Sequence, residues 1–377
     1  MADNKDKKVL NVPHLRFPEF SGEWEKKRFK DVCNITTGNK NTQDKSDDGI
    51  YPFYVRSQNV ERINSWTFDG EAILTAGDGV GVGKVFHYST GKIGVHQRVY
   101  ILSDFKCDGK YLYSYFAGNF YNRVKRMSAK NSVDSVRMEM IADMPISLPS
   151  TMEQKKIGHL LALLDERIAT QNKIIEDLKK LKSAIIERAY CDRSYHPYRI
   201  GDVIEQISER NKDKSIDMVL SVSNKQGFIN QSEQFEDRII ASEDTSNYKI
   251  VHKNDFAYNP ARINVGSIAR LTTIEKGIVS PMYICFRVRK EVVSEYLEHF
   301  FSTSYFFYEM QKRLEGSVRQ CLSFEGICNI PIYIPSSEEQ HTIGKKISVL
   351  LGKIDIETHY HFKLVEQKHY LLRQMFI

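Results

Sequence analysis

Between Glu153 and Cys191 the chain contains no proline, and its one glycine, Gly158, lies near the start. Apolar residues recur at Ile157, Leu161, Leu164, Ile168, Ile175, Leu178 and Ile185. The steps alternate four and three, with polar Gln171 and Lys182 at the two missing beats. This is a heptad seam, narrower than the apolar stripe of an ordinary surface helix. Roughly 38 helical residues make a rod of about 57 Å. A lone rod of that length would leave its seam in water, so it requires a partner.

The chain supplies that partner itself. From Glu338 to Phe376 the seam returns at Ile343, Ile347, Leu350, Ile354, Leu364 and Leu371. Its polar interruptions, Glu357 and Lys368, match Gln171 and Lys182, and His361 replaces Ile175. The segments leading in agree as well: MPISLPSTMEQKKIG (144–158) against IPIYIPSSEEQHTIG (330–344). A shared seam alone could arise by chance. A shared Pro-x-x-x-Pro-Ser-x-x-Glu-Gln-x-x-Ile-Gly is an internal duplication.

The regions between the helices also repeat a plan. In the first, β-like runs at Tyr51–Val55, Glu71–Thr75, Lys84–His87 and Val99–Leu102 are separated by Gly and Asp turns. A helical stretch over roughly 109–128 follows. In the second, RIGDV (199–203) answers RFKDV (28–32), GSIA (266–269) answers GKVF (83–86), and YLEHFF (296–301) answers YLYSYF (111–116). The expected fold is therefore α+β. Two similar α/β globules, 1–152 (with an N-terminal extension) and 193–337, alternate with helices at 153–192 and 338–377. Because each globule is attached at a helix end, the helices are expected to run antiparallel as a coiled coil in a pseudo-two-fold arrangement.

A length of 377 residues suits two or three domains, and 41% hydrophobic content suffices for sizeable cores. The net charge of +6 is mild and evenly spread: residues 1–150 carry 22 basic and 18 acidic side chains, residues 192–335 carry 18 and 19. Any nucleic-acid surface must then be a local patch. The six cysteines are scattered without a C-x-x-C pair, as expected of free thiols in a reducing cytoplasm. No apolar run approaches the roughly 18 residues of a membrane span, and the N-terminus lacks the apolar core of a signal peptide.

Motifs of catalysis are missing. GDGVGVGK (77–84) lacks the first glycine and the final Ser/Thr of a Walker loop, and reads as a turn between two strands. YNPAR (258–262) lacks the second proline and the aromatic of an adenine methyltransferase motif. His359 and His361 are two apart on a helix, so they diverge and cannot share a metal. No catalytic or metal residue is assigned.

Basic clusters with interleaved amides and aromatics stand out instead. NFYNRVKRMSAKNSVDSVR (119–137) offers Arg123, Lys125, Arg126, Lys130 and Arg137, and its counterpart QKRLEGSVRQ (311–320) offers Lys312, Arg313, Arg319 and Gln320. RSQN supplies Arg56, Gln58 and Asn59, SNKQGF supplies Asn224, Lys225 and Gln226, and Arg262 closes YNPAR. Arg, Gln and Asn have the bidentate chemistry that reads base edges, and Lys suits phosphates. These residues form the candidate DNA-binding set.

With its LRFPEF and WEKKRFKDV start, its two Pro-Ser-x-x-Glu-Gln segments, its paired long helices and its LLRQMF ending, the sequence resembles the specificity subunits of type I restriction–modification systems over nearly its whole length. The resemblance implies a non-catalytic subunit whose two target recognition domains each read half of a bipartite DNA sequence. The helices would set the gap and dock two modification (methyltransferase) subunits. It implies no cofactor on this chain: S-adenosylmethionine would sit on the modification subunits, and ATP with magnesium on the restriction subunits of the full complex. A competing class is a non-catalytic coiled-coil scaffold presenting two protein-binding globules. DNA binding that weakens steeply with salt separates the two.

If the first helix is a ruler, its length sets the gap. Inserting four residues near Gln171 adds about 6 Å and about 400° of turn, so the seam survives as a local stutter. At about 3.4 Å per base pair, methylation mapping of this variant should show a gap longer by one or two base pairs between unchanged half-sites. An unchanged gap with full activity would contradict it.

Overall fold

The computed structural model describes residues 10–127, 135–190, 192–224, 226–231, 244–289, 292–317 and 320–377. Contacts divide the chain into two compact units. One comprises the residues through Lys173 together with His359–Ile377, and the other spans Ile174–Thr358. Both long helices, Thr151–Tyr190 and Ser337–Gln374, are continuous, so each unit takes in a globule and a segment of each helix.

The first globule contains β1 (Glu25–Arg28), β2 (Asn34–Thr37), β3 (Tyr51–Tyr54), β4 (Glu61–Ile63), β5 (Phe68–Ala76), β6 (Phe86–Val95), β7 (Val99–Ser103) and β8 (Pro145–Leu148). Six of these form one sheet in the order β2-β7-β5-β6-β3-β4, and β1 pairs antiparallel with β8. Strand β5 shows why both sheet faces are buried. Its Ile73 packs into the core formed with the helix Gly109–Met127, while Ala72 and Leu74 enter a second cluster with Val95 and Ile101. Alternate side chains of one strand thus serve two cores.

The second globule contains β9 (His196–Arg199), β10 (Ile204–Ile207), β11 (Val219–Ser223), β12 (Gly227–Asn230), β13 (Lys249–His252), β14 (Phe256–Tyr258), β15 (Ile268–Arg270), β16 (Lys276–Val279), β17 (Ile284–Val288) and β18 (Pro331–Ile334). The β1/β8 pairing recurs as β9/β18, with Arg28 opposite Pro145 and Arg199 opposite Pro331. The large sheet does not recur whole. It is divided into β10-β17-β14-β15 and β12-β11-β16-β13. Where the first globule has the nine-residue β5, the second breaks the chain between β13 and β14. Asn254 there is left-handed (φ 72°). The Asp255 carboxylate is 1% exposed. It accepts hydrogen bonds from Arg287 Nε and Nη2 (2.6 and 2.8 Å) and from the His252 amide (2.8 Å). A buried carboxylate needs such donors, and a continuous ladder would withhold the amide. The helix of the first globule likewise becomes two, Ser294–Phe300 and Ser304–Gln311. Thr303 restarts it by accepting from the Phe306 amide at 3.0 Å.

Every apolar seam position is buried or half-buried. Ile157, Leu161, Leu164, Ile175, Ile347 and Leu364 are buried, while Ile168, Leu178, Ile185, Ile343, Leu350, Ile354 and Leu371 are half-buried. Gln171 is buried, and Lys182, Glu357, His361 and Lys368 are half-buried. In the first unit the helix segments run antiparallel, since Asp165 meets Lys368 and Arg167 meets Tyr360. In the second unit, Ile186 and Tyr190 of the first helix share a core with Ile347 of the second.

The duplicated lead-in has a mechanical role. Gln154 donates to the Pro149 carbonyl (2.8 Å) and accepts from the Asp108 amide (2.9 Å). Gln340 does the same with the Pro335 carbonyl (3.0 Å) and the Val293 amide (2.8 Å). Each glutamine ties the start of a long helix to the start of its globule's own helix. Gly158 permits the close approach: a Cβ there would lie 2.7 Å from both Asp108 Oδ1 and the Tyr111 amide. Glu153 is fully buried and held by Arg16 Nε and Nη2 at 2.8 Å each. Its counterpart Glu339 turns back onto Ser336 instead. Arg16 belongs to an N-terminal extension absent from the second repeat, and its neighbour Leu15 donates to the Gln374 carbonyl at 2.9 Å.

The end of the chain completes the first core. Phe376 is 7% exposed, and its ring lies 5.1 Å from Tyr111 and 5.5 Å from Tyr115. Phe376→Ala should cost about 3–5 kcal/mol, read as a lower midpoint in denaturant unfolding. Phe362→Ala, at a position 54% exposed, should stay within about 0.5 kcal/mol.

Candidate nucleic-acid interface

The glycine-rich segment 77–85 is a turn joining β5 to β6, as its sequence suggested. It acts as a hub. A Cβ on Gly81 would lie 2.6 Å from the Arg56 carbonyl, and one on Gly83 would lie 3.1 Å from the Tyr121 ring. The Gly77 carbonyl accepts from the Val136 amide at 2.7 Å, and Asp78 bridges to Ser135. So the turn gathers three candidate segments of the first globule: Arg56, Gln58 and Asn59; the helix turn leading to Lys125 and Arg126; and Arg137. Gln58, Asn59, Lys125, Arg126 and Arg137 are exposed. Lys130 lies outside the described residues.

Charge within this cluster is organised by one acid. Asp78 Oδ1 accepts from Arg56 Nη1 at 2.8 Å, and Arg98 Nε lies 3.6 Å from Oδ2. The Asp78 contact therefore braces the Arg56 guanidinium, with its side chain still 45% exposed. Burial, assisted by the positive charge of Arg56, lowers the pKa of nearby His96. Lys84 stands over the Tyr121 ring at 5.3 Å. Arg123 is committed elsewhere: its Nε donates to the Met140 carbonyl at 2.7 Å, and the residue is half-buried. Arg126 Nε donates to the Asn122 carbonyl of its own helix at 3.3 Å.

The second globule builds a similar gathering from a different turn. The loop 259–267 joins β14 to β15. Ser267 Oγ donates to the Val222 carbonyl (3.0 Å), and a Cβ on Gly266 would lie 3.8 Å from Asn224. The Pro260 carbonyl accepts from the Leu322 amide at 3.0 Å. This loop therefore joins Arg262, Asn224 with Gln226, and the segment carrying Gln320, all exposed. Lys225 and Arg319 lie outside the described residues. Lys312 and Arg313 are both turned onto Glu309, at 2.7 Å each, and Lys312 also sits 3.8 Å over the Tyr308 ring. The Lys312 hydrogen bond, supported by Arg313, holds the Glu309 carboxyl below its ordinary range. In this conformation that pair braces a helix end.

Two residues of the first cluster escape a motif search. Lys84 lies inside the segment weighed only as a failed Walker loop, and Arg98 follows His96-Gln97 between β6 and β7. The mix of Arg, Gln and His in a two-strand turn is the signal that would have found Arg98. Among the described residues, no group of three or more metal-ligating side chains forms a metal site. No described helix is long and apolar enough to cross a membrane.

The model of the type I restriction modification DNA specificity domain matches this chain twice, over residues 21–180 and 193–364. The chain belongs to that specificity family. Each match covers one globule and most of the helix that follows it. Among curated members, the Escherichia coli EcoDI specificity subunit is 29% identical over 168 residues, a match spanning 44% of this chain and 37% of that relative. The Methanocaldococcus jannaschii MjaVIII specificity subunit is 23% identical over an alignment spanning 94% of this chain and 91% of its own. The crystal structure of a type I restriction–modification S subunit from M. genitalium shares the fold, with a TM-score of 0.66 at 16% identity, covering 97% of this chain and 99% of that one. The α+β architecture with long helices is thus that of the specificity family.

The braced Arg56 and the exposed Lys125 should behave differently on duplex DNA. Arg56→Ala is expected to cost about 1–3 kcal/mol on the preferred sequence and little on others, while Lys125→Ala should weaken binding to all sequences and reduce the salt slope by about one. Anisotropy titrations at several salt concentrations separate the two.

Proposed function

We propose that this chain is the DNA-reading subunit of a type I restriction–modification complex. Each globule reads one half of a bipartite target, and the long helices set the gap and dock two modification subunits. The observation that carries this reading is the double match of the specificity domain, one on each globule, over a duplicated scaffold. The two globules share their framework, down to the Gln154 and Gln340 ties, yet present different side chains on their hairpin loops. That is how one geometry reads two sequences.

In this reading the subunit performs no chemistry of its own. The modification subunits carry S-adenosylmethionine, and the restriction subunits carry ATP and magnesium. Specificity rests on Arg and amide groups at base edges, and affinity on Lys and Arg at phosphates. Methyl transfer to DNA by this chain without any partner would contradict the proposal.

Exchanging residues 193–335 for the matching segment of a relative tests the division of labour. Methylation mapping of a cell expressing the hybrid with its modification subunit should show one half of the motif changed and the other intact. A change in both halves would overturn independent reading.

A further inference from the structure

The turn 77–85 holds one apolar side chain in full exposure. Val80 is fully exposed at 101%, although the turn beneath it is tightly seated: Val82 is 3% and Val85 7% exposed. Single exposed valines are ordinary on a protein surface. This one stands beside left-handed Gly79 (φ 80°), on a turn packed against Arg56 and Tyr121. Arg56, Lys84 and Arg98, set against the single acid Asp78, leave the turn and its contacts net positive, which would draw in a phosphate backbone. The hairpin loop 259–267 of the second globule is likewise seated by buried side chains, Asn259, Ile263 and Ser267. It turns exposed Arg262 outward, with Val265 (52% exposed) three residues on, and the guanidinium has no partner among the described residues.

We propose that Val80 is a base-reading tip of the first globule, recognising an A·T pair by packing on the thymine 5-methyl group in the major groove. The proposal rests on the DNA-reading function above. An isopropyl group neither donates nor accepts a hydrogen bond, so it cannot satisfy the polar edge of a G·C pair. The thymine methyl is the apolar feature of the major-groove edge. Seating on it removes Val80 from water, which nothing in the free chain does. The turn is already seated by buried Val82 and Val85, so little ordering is lost on contact. Arg262, at the corresponding hairpin, has the opposite chemistry and suits guanine O6 and N7.

The test deletes the methyl group alone. With the recognised sequence mapped, the complex of this chain with its modification subunits is titrated against duplexes in which each thymine of the first globule's half-site is replaced in turn by uracil. At one position uracil should weaken binding roughly fourfold, the worth of about one buried methyl group. The Val80→Ser complex should bind the all-thymine duplex correspondingly less well and be indifferent to uracil there. The Arg262→Ala complex should stay as sensitive to uracil as the unaltered one. The proposal is overturned by a half-site without thymine, by an unaltered complex indifferent to every uracil, or by a Val80→Ser complex that remains uracil-sensitive. The assay runs only on a complex that already binds its mapped sequence. Failure here therefore leaves the DNA-reading function standing, whereas failure of that function appears earlier, as the absence of a methylated motif.

Discussion

A buried glutamine at the first turn of each long helix is the joint on which both units turn. Its amide donates to the carbonyl of the preceding proline and accepts from the backbone of the globule's own helix. Both ends are satisfied only if helix and globule meet at one angle. An unpaired buried amide costs about 1–3 kcal/mol, so the joint resists bending. The globules have diverged in sheet and helix count, yet the joint is the same in each. What is held constant is the attachment, and what is free to vary is the surface carried on it.

The two attachments are sealed differently. In the first unit Arg16 reaches from the N-terminal extension to the fully buried Glu153, and removing one partner of such a pair is typically far more damaging than the pair is stabilising. In the second unit Glu339 is exposed and satisfies itself on Ser336. The described part of the extension is tied down: it meets the first helix through Arg16 and the second where the Leu15 amide donates to the Gln374 carbonyl.

The helices and the repeat were plain in the sequence because both write themselves in period. A heptad seam depends on neighbours three and four residues away, and the Pro-Ser-x-x-Glu-Gln segment appears twice. The sheets were legible only in part. The runs at Tyr51 and Val99 are short apolar stretches that read as strands, but β6 carries Gly91 and Gly94 through its ten residues, and the Asp255 that sits where the second sheet divides is held by Arg287 from 32 positions away. The short helix Met138–Ala142 is hidden in what reads as a polar loop. Side-chain commitments were least legible. Arg56 and Arg123 look alike in composition, yet one is braced outward by Asp78 and the other spent on the Met140 carbonyl. Lys312 and Arg313 fold onto an acid of their own helix. Composition finds the neighbourhood of a site, and tertiary contacts decide which members face out.

Because Met375 and Phe376 sit in the same core as Trp24 and Tyr111, the first unit joins segments far apart in the chain. Synthesis proceeds from the N-terminus, and domains ordinarily fold as they emerge. Here the first globule leaves the ribosome early but lacks part of its core until Met375 and Phe376 are released. The second unit, built from one uninterrupted span, has all its parts sooner. The order of translation and the order of completion are therefore reversed, and a messenger cut short before Met375 would damage the unit whose globule was made first.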